Sequence, residues 1–497
     1  MSSRPPGLRL PTLVNYAALA ARLVLSLGFS VVVARKLPPG EYGLWGVALS
    51  TAGTVSTPLP LLTWWAPRQA VWGRRWAGTT GLLMALAYSA VAALAFSATV
   101  SALLGWRGWI LLGSLMTVSA AVNMYAAPLA SASRPHVAGV SSLIFDSTRL
   151  AAAYLLLVRE GMGLDGVFYA MIAGYWASTL YSLAEALGAG LLAPQVSLRG
   201  AARLLRLSHT LLPRTAAGAL RLFYRSYLEA LTHSLGAVAR INVALSAETP
   251  LTRIASMASP ALYARLLRRV GSWELEESIR LYLAFAAFTA TALIVLARPV
   301  ALLYNPAYVD AAPVLRVVAV YALLLGLGGV YSTAVGGAER FDYDIENPPG
   351  PLEALRRPWS RPGIAMLACF AGAYALLAAT APLAGGSPAT LALAASLALL
   401  AASASWSIYV GRLAHSMTGS RFPLREALEI AGASAAEALT LTVLGGPQLH
   451  GGFWDLAGAL ALQLLAGALA YLGALLALSP WARGLAAAGL RRILGRG

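Results

Sequence analysis

Apolar runs of about twenty residues recur from one end of this chain to the other, and each is long enough to cross roughly 30 Å of hydrocarbon. That repetition constrains the fold more than any other feature. Inside lipid every backbone polar group must be satisfied within the protein, which leaves only helices and closed barrels. A barrel would show short alternating segments, whereas these runs are continuous. Candidate spans lie near 12–34, 43–65, 78–104, 109–131, 138–158, 165–190, 211–233, 238–262, 279–303, 314–336, 363–383, 389–411, 424–445 and 454–478. Only 11% of the 497 residues are charged, 58% are hydrophobic and the mean hydropathy is +0.68. A soluble surface of this size could not be covered with so little charge. The sequence therefore reads as an all-α polytopic membrane protein with about fourteen transmembrane helices.

Two of those spans are unusually polar. The run 211–233 carries Arg214, Arg221, Arg225, Glu229 and His233, and 238–262 carries Arg240, Asn242, Glu248 and Arg253. Either both cross while facing water or protein, or they form an interfacial hairpin and the count is twelve. The connectors 191–210, 263–278 and 337–362 are too short for a folded soluble domain. Counting Arg and Lys in alternate loops gives 23 on the side of both tails against 5 on the other. Basic residues accumulate on the cytoplasmic side, so both termini are expected in the cytoplasm and the protein in the plasma membrane. The first apolar run reads as a retained span, since no small-residue cleavage site follows it.

The net charge of +17 comes from these loop arginines, and no polar basic domain exists to bind nucleic acid. A single cysteine, Cys369, excludes an internal disulfide framework and a multi-cysteine metal site. No phosphate-binding glycine loop and no Glu-x-x-His metal motif occurs, so neither cofactor nor metal is expected.

Charge within the spans carries the functional reading, because each charged side chain there costs roughly 2.5–3.5 kcal/mol unless it faces a partner or a wet cavity. Arg22, Arg149, Arg221, Arg225 and Arg253 all fall near the middle of spans. On the first helix Asn15, Arg22, Ser26 and Ser30 form one polar stripe; on the seventh, Arg221, Arg225, Glu229 and His233 follow at steps of four. A guanidinium suits a phosphate, since its fork of donors binds two oxygens and keeps its proton. Arg22, Arg221, Arg225 and Arg253, with Asn15, are thus candidates for holding an anionic head group. The alternative is that the arginines tie helices together through Asp146, Glu229 or Glu248. Asp146 and Arg149, three residues apart, form such a local pair. Glu437 stands mid-span with no basic residue within a turn, and could stay neutral, pair elsewhere or take part in coupling.

Between the first two runs lies "ARKLPPGEYGLWG". Pro38 and Pro39 forbid continuation of the first helix, and Glu41 sits at the start of the next, where negative charge is favoured. Arg35 and Lys36 stand at the outer mouth beside this corner, where they guide a phosphate or simply snorkel to the interface. The stretch resembles the opening of the polysaccharide-biosynthesis flippases, in Ala34, Arg35, Leu37, Gly40, Glu41, Tyr42 and Gly43. Their superfamily also holds the multidrug and toxin extruders and the lipid II flippases. "YVDAAPVLR", with Tyr308, Ala311, Pro313, Leu315 and Arg316, resembles the same family's second-lobe signature, and "GLDGVFYAMIAG" at 163–174 its entry to the sixth helix.

The resemblance implies two six-helix lobes around a V-shaped central cavity, at 10–192 and 205–415, with two extra helices at 422–480. It further implies a monomer, with membrane lipid and a polyprenyl-phosphate-linked glycan as partners, and alternating access rather than enzyme chemistry. A cation-coupled exporter of the same superfamily is the alternative, with Asp146, Glu229 or Glu437 leading and H+ or Na+ as driving ion. A membrane glycosyltransferase is more distant, resting on Asp342 and Asp344 in "DYD" as metal ligands.

Overall fold

The computed structural model describes residues 9–251, 271–339, 350–445 and 452–493, with 254, 262 and 266 between the first two stretches. Each of the fourteen apolar runs is occupied by a helix over at least part of its length. Eight helical segments among the described residues are long and apolar enough to cross a membrane, so the protein is multi-pass and all-helical. They span residues Trp76–Leu104, Trp109–Ser133, His136–Arg159, Ser272–Val295, Pro306–Glu339, Pro358–Leu383, Pro388–Thr418 and Phe453–Leu478.

The described residues fall into two compact units, 1–239 with 347–367, and 240–346 with 368–497. In the first unit, α1 (Arg9–Lys36) packs on α7 (His136–Ala153), and α7 on α8 (Gly163–Gly188). Beside them α6 (Trp109–Ser133) lies between α5 (Trp76–Leu104) and α8. Aromatic rings pack where α6 and α8 begin. Phe168 stacks on Trp109 and meets Trp45 edge to face, at 5.6 Å in each case.

The apolar run 43–65 is not one helix. α2 (Pro39–Ser56) stops before Pro58, and the chain resumes as two short pieces, α3 (Leu59–Thr63) and α4 (Trp65–Val71). Pro58, Pro60 and Pro67 lack the N–H that a continuous helix requires. The corner before α2 is as tight as its prolines demand: Pro38 is extended (φ −62°, ψ 153°), Pro39 opens α2, and Glu41 lies in its first turn. Beyond α8, the amphipathic α9 (Leu198–Ser208) is capped by Ser197, whose Oγ accepts from the Gly200 N–H at 2.9 Å. It buries Leu204 and Leu207 and turns Arg199, Arg203 and Arg206 outward.

α10 (Leu212–Thr232), which occupies the polar run 211–233, packs against α2 through small residues. Ser50 Oγ donates to the Leu222 carbonyl at 2.5 Å, and Thr51 and Ser226 share a hydrogen bond of 2.9 Å. α11 (Leu235–Ala247) starts the run 238–262, most of whose remainder lies outside the described residues.

In the second unit the run 279–303 also divides, into α12 (Ser272–Val295) and α13 (Ala297–Tyr304), with Pro299 inside the new first turn. The longest helices, α14 (Ala312–Glu339) and α17 (Pro388–Thr418), form its tightest pair. Gly328 makes this possible, because a Cβ there would overlap the Trp406 ring. α15 (Pro351–Arg356) belongs to the first unit, and α16 (Arg361–Thr380) carries the boundary between the two. α18 (Leu424–Val443) and α19 (Phe453–Leu478) make a hairpin against α12, followed by α20 (Pro480–Ile493). α12, α19 and α20 enclose an apolar groove of about 420 Å³ walled by Leu281, Phe285, Phe288, Leu472, Trp481 and Leu485.

Tyrosines join neighbouring helices in both units. Tyr88 donates to the Val55 carbonyl at 2.6 Å and Tyr125 to Gly78 at 2.6 Å; Tyr282 donates to Leu323 at 2.7 Å and Tyr471 to Ala284 at 2.5 Å.

Candidate functional site

The densest buried charge in the first unit forms where α1, α7 and α8 meet. Asp146 is 2% exposed and binds two guanidinium groups. Arg22 Nε donates to its Oδ2 at 2.9 Å, and Arg149 Nη2 lies 2.6 Å from its Oδ1. The same Arg149 nitrogen donates to Ser26 Oγ at 2.8 Å. Its guanidinium sits against the rings of Phe29 at 4.5 Å and Phe145 at 4.6 Å, a cation–π contact on each. Phe145 in turn packs at a tilt against Tyr175 of α8, with ring centroids 4.6 Å apart. Gly174 permits the close crossing of α7 and α8, since a Cβ there would lie 3.0 Å from the Arg149 Cβ and from the Phe145 carbonyl oxygen.

Two cations therefore share one anion. The local pair Asp146–Arg149 is the one read from spacing; Arg22 joins it from 124 residues away. Ser26, on the stripe with Arg22, is part of the same network. The group keeps a formal charge of +1, and Arg149 Nε is buried without a hydrogen-bond partner among the described residues. A single carboxylate cannot satisfy ten guanidinium N–H donors, so the group has spare capacity for an anionic oxygen.

The other sequence candidates stand elsewhere. Arg221 and Arg225 are half-buried on α10, a turn apart, on a helix whose neighbour is α2 rather than α1, α7 or α8. Glu229 is buried, and His233 ends α10 in a left-handed conformation (φ 49°) with its N–H on the Glu229 carbonyl. Arg35 and Lys36 form the last turn of α1, the first half-buried and the second exposed. Asn15 lies on α1 where only the backbone is described; Arg253, Asp342 and Asp344 lie outside the described residues. Glu437 on α18 is wholly buried, and neither carboxylate oxygen has a hydrogen-bond partner among the described residues.

Sequence reasoning missed two constellations. Arg280 on α12 gathers Glu276, Glu277 and Glu426, the last at 3.0 Å, and Glu277 also accepts from the Trp481 indole at 3.0 Å. The spacing "EESIR", 276–280, carried half of that signal, as carboxylates three and four residues before an arginine. The other is a trough between α3, α4 and α6, walled by Trp64, Arg68 and Trp72. Its signal was a Trp–Trp pair followed by Pro-Arg and a further Trp.

No family model and no curated protein sequence matches the chain. Solved structures do. The chain has the fold of a multi-pass helical transporter. The lipid II flippase MurJ in its inward closed conformation superposes with a TM-score of 0.58 at 15% identity, over 95% of this chain and 99% of that one. An inward-facing multidrug-resistance MATE transporter of the MOP superfamily gives 0.56 at 11% identity, over 82% and 99%. The Vibrio cholerae MATE transporter VcmN in its bent form gives 0.52 at 14%, over 82% and 95%. The fold expected from the sequence motifs is thus the fold observed.

Proposed function

We propose that the chain is an alternating-access flippase that moves a polyprenyl-(di)phosphate-linked oligosaccharide from the cytoplasmic to the outer leaflet. The observation that carries this reading is the Arg22–Asp146–Arg149 group: a net positive charge set in apolar helices. Holding that charge away from water is costly, and an incoming phosphate would balance it. A cationic drug would instead add to it. The apolar groove beside α19 and α20 supports a lipid-borne substrate, offering a surface for an isoprenoid chain. Arg221 and Arg225, with Arg253, provide further anion contacts along the path, and Arg35 and Lys36 provide them at the outer mouth. In this reading the protein works as a monomer in the plasma membrane, with both termini cytoplasmic. Its lobes are 10–192 and 205–415, and 422–480 is a lipid-facing addition.

Binding of undecaprenyl diphosphate-linked glycan by native mass spectrometry tests it. Wild-type protein should retain the ligand, and Arg22→Gln should lose at least tenfold in affinity. Equal retention by both would sink the assignment. A second reading, an H+- or Na+-coupled exporter, is favoured by Glu437, a buried carboxyl with no partner among the described residues. It demands transport driven by an imposed ion gradient and abolished in Glu437→Gln.

A further inference from the structure

Between α6 and the short helices that follow α2 lies a trough of about 720 Å³ in the first unit, within the roughly 300–1,000 Å³ typical of small-molecule sites. Its walls combine four kinds of chemistry. Trp64 and Trp72 offer indole surface and are 37% and 58% exposed. Arg68 lies 4.1 Å over the Trp64 ring and donates to the Trp64 carbonyl at 3.1 Å. Asn123 gives its amide N–H groups to Ser178 at 2.8 Å and Thr179 at 3.2 Å, which leaves its carbonyl oxygen as an acceptor with no donor among the described residues. Pro128, inside α6, has no N–H, so the Met124 carbonyl lacks its helical donor.

An aromatic belt at a membrane interface needs only outward rings. It has no use for an unpartnered amide oxygen and a proline-exposed backbone carbonyl behind them. Indole surface beside acceptors and a fixed cation suits a ligand with one apolar C–H face and a rim of hydroxyls. A pyranose ring has that make-up. We propose that this trough binds a sugar of the glycan head group, with a ring face on Trp72 or Trp64, hydroxyls donating to Asn123 Oδ1 and the Met124 carbonyl, and Arg68 donating to a ring substituent. Arg68 belongs to the loop set that the arginine count places in the cytoplasm, so the trough is a loading site for the head group. This rests on the reading of the substrate as a lipid-linked glycan. It adds a site for the sugar, separate from the arginines that hold the phosphate.

The test is calorimetric titration of the full-length, detergent-purified protein with three probes: farnesyl diphosphate, and farnesyl diphosphate bearing N-acetylglucosamine or galactose. Wild type should bind at least one sugar-bearing probe tenfold or more tighter than the bare diphosphate. Trp72→Ala should abolish that preference while leaving bare-diphosphate affinity unchanged, and Trp72→Phe should retain part of it. The exposure of Trp72 makes both variants foldable, which an unchanged melting midpoint confirms. Equal binding of all three probes by wild type overturns the proposal, as does a Trp72→Ala loss that is the same for every probe. Arg22→Gln separates the two readings. If it leaves all three affinities intact while Trp72→Ala still erases the sugar preference, the phosphate assignment falls and the sugar site stands.

Discussion

Charge arithmetic at Asp146 makes an asymmetric prediction. Removing either arginine leaves a balanced pair, because the other guanidinium still meets the carboxylate at 2.6 or 2.9 Å. Removing the carboxylate leaves two buried cations facing each other. Breaking a buried ion pair by deleting one partner costs about 3–5 kcal/mol. Two charge-assisted hydrogen bonds, at about 1.5–3 kcal/mol each, give an overlapping range of about 3–6 kcal/mol. Asp146→Asn should therefore cost about 3–5 kcal/mol, or roughly 3–5 °C in melting midpoint at ~1 °C per kcal/mol for a chain of 497 residues. Arg22→Gln forfeits one such bond and should cost about half as much. Arg149→Gln should cost more than Arg22→Gln, because it also gives up contacts with two rings, worth about 0.5–2 kcal/mol each. The assay is tryptophan-fluorescence melting of the detergent-purified protein. Replacing all three residues together, as Arg22→Leu, Asp146→Leu and Arg149→Met, should restore most of the Asp146→Asn loss, since no buried charge then remains. A midpoint for Asp146→Asn within 2 °C of wild type would refute the reasoning. So would an Arg22→Gln loss equal to that of Asp146→Asn.

Gly328→Leu, which drives a side chain into the Trp406 ring, should abolish monodisperse expression as judged by fluorescence-detected size exclusion. Arg280→Ala leaves Glu276, Glu277 and Glu426 without their shared cation; a loss of about 3 kcal/mol is expected in the same melting assay, relieved by 1 M salt only in part because the group is half-buried. Glu437→Leu breaks no hydrogen bond made by the described residues, so its melting midpoint should match or exceed wild type; a fall of more than 5 °C would reveal a partner outside them. Tyr471→Phe removes the bond to the Ala284 carbonyl and should cost about 1 kcal/mol by the same readout.

How far the sequence revealed the molecule depends on distance along the chain. The helices were legible because a membrane span writes itself as twenty contiguous apolar residues. Asp146–Arg149 was legible for a similar reason, a helical step of three. Arg22 was recognised as a costly buried charge, but its carboxylate lies 124 residues on, beyond any local pattern. The breaks at Pro58 and Leu296 were concealed by averaging: hydropathy over a twenty-residue window stays high while one or two residues end the helix. The trough at Trp64 and Trp72 needed a third element, α6, whose approach no spacing encodes. Resemblance supplied the bundle architecture, and the superposed transporters bear out that fold at identities where residue-by-residue carry-over of roles has no footing.

The four tyrosine contacts have a mechanical consequence. Each phenol reaches past its own helix to a backbone carbonyl of a neighbouring helix, so it pins one helix to another at a single rotational and axial setting. Sliding by one residue, about 1.5 Å, would withdraw the hydroxyl from its acceptor and strand it in an apolar wall. Shear within either unit is thereby discouraged, and these helices behave like riveted staves. Compliance must then reside where the backbone ladder is already interrupted. The Thr57–Trp64 stretch has such an interrupted ladder, with its two prolines and short helical pieces, and a hydroxyl, Ser208 Oγ on the Leu61 carbonyl, ties it to α9. Bending there sacrifices few hydrogen bonds, since the prolines have removed them in advance. Stiff timber with a soft joint converts a small push at that joint into a large swing at the far end.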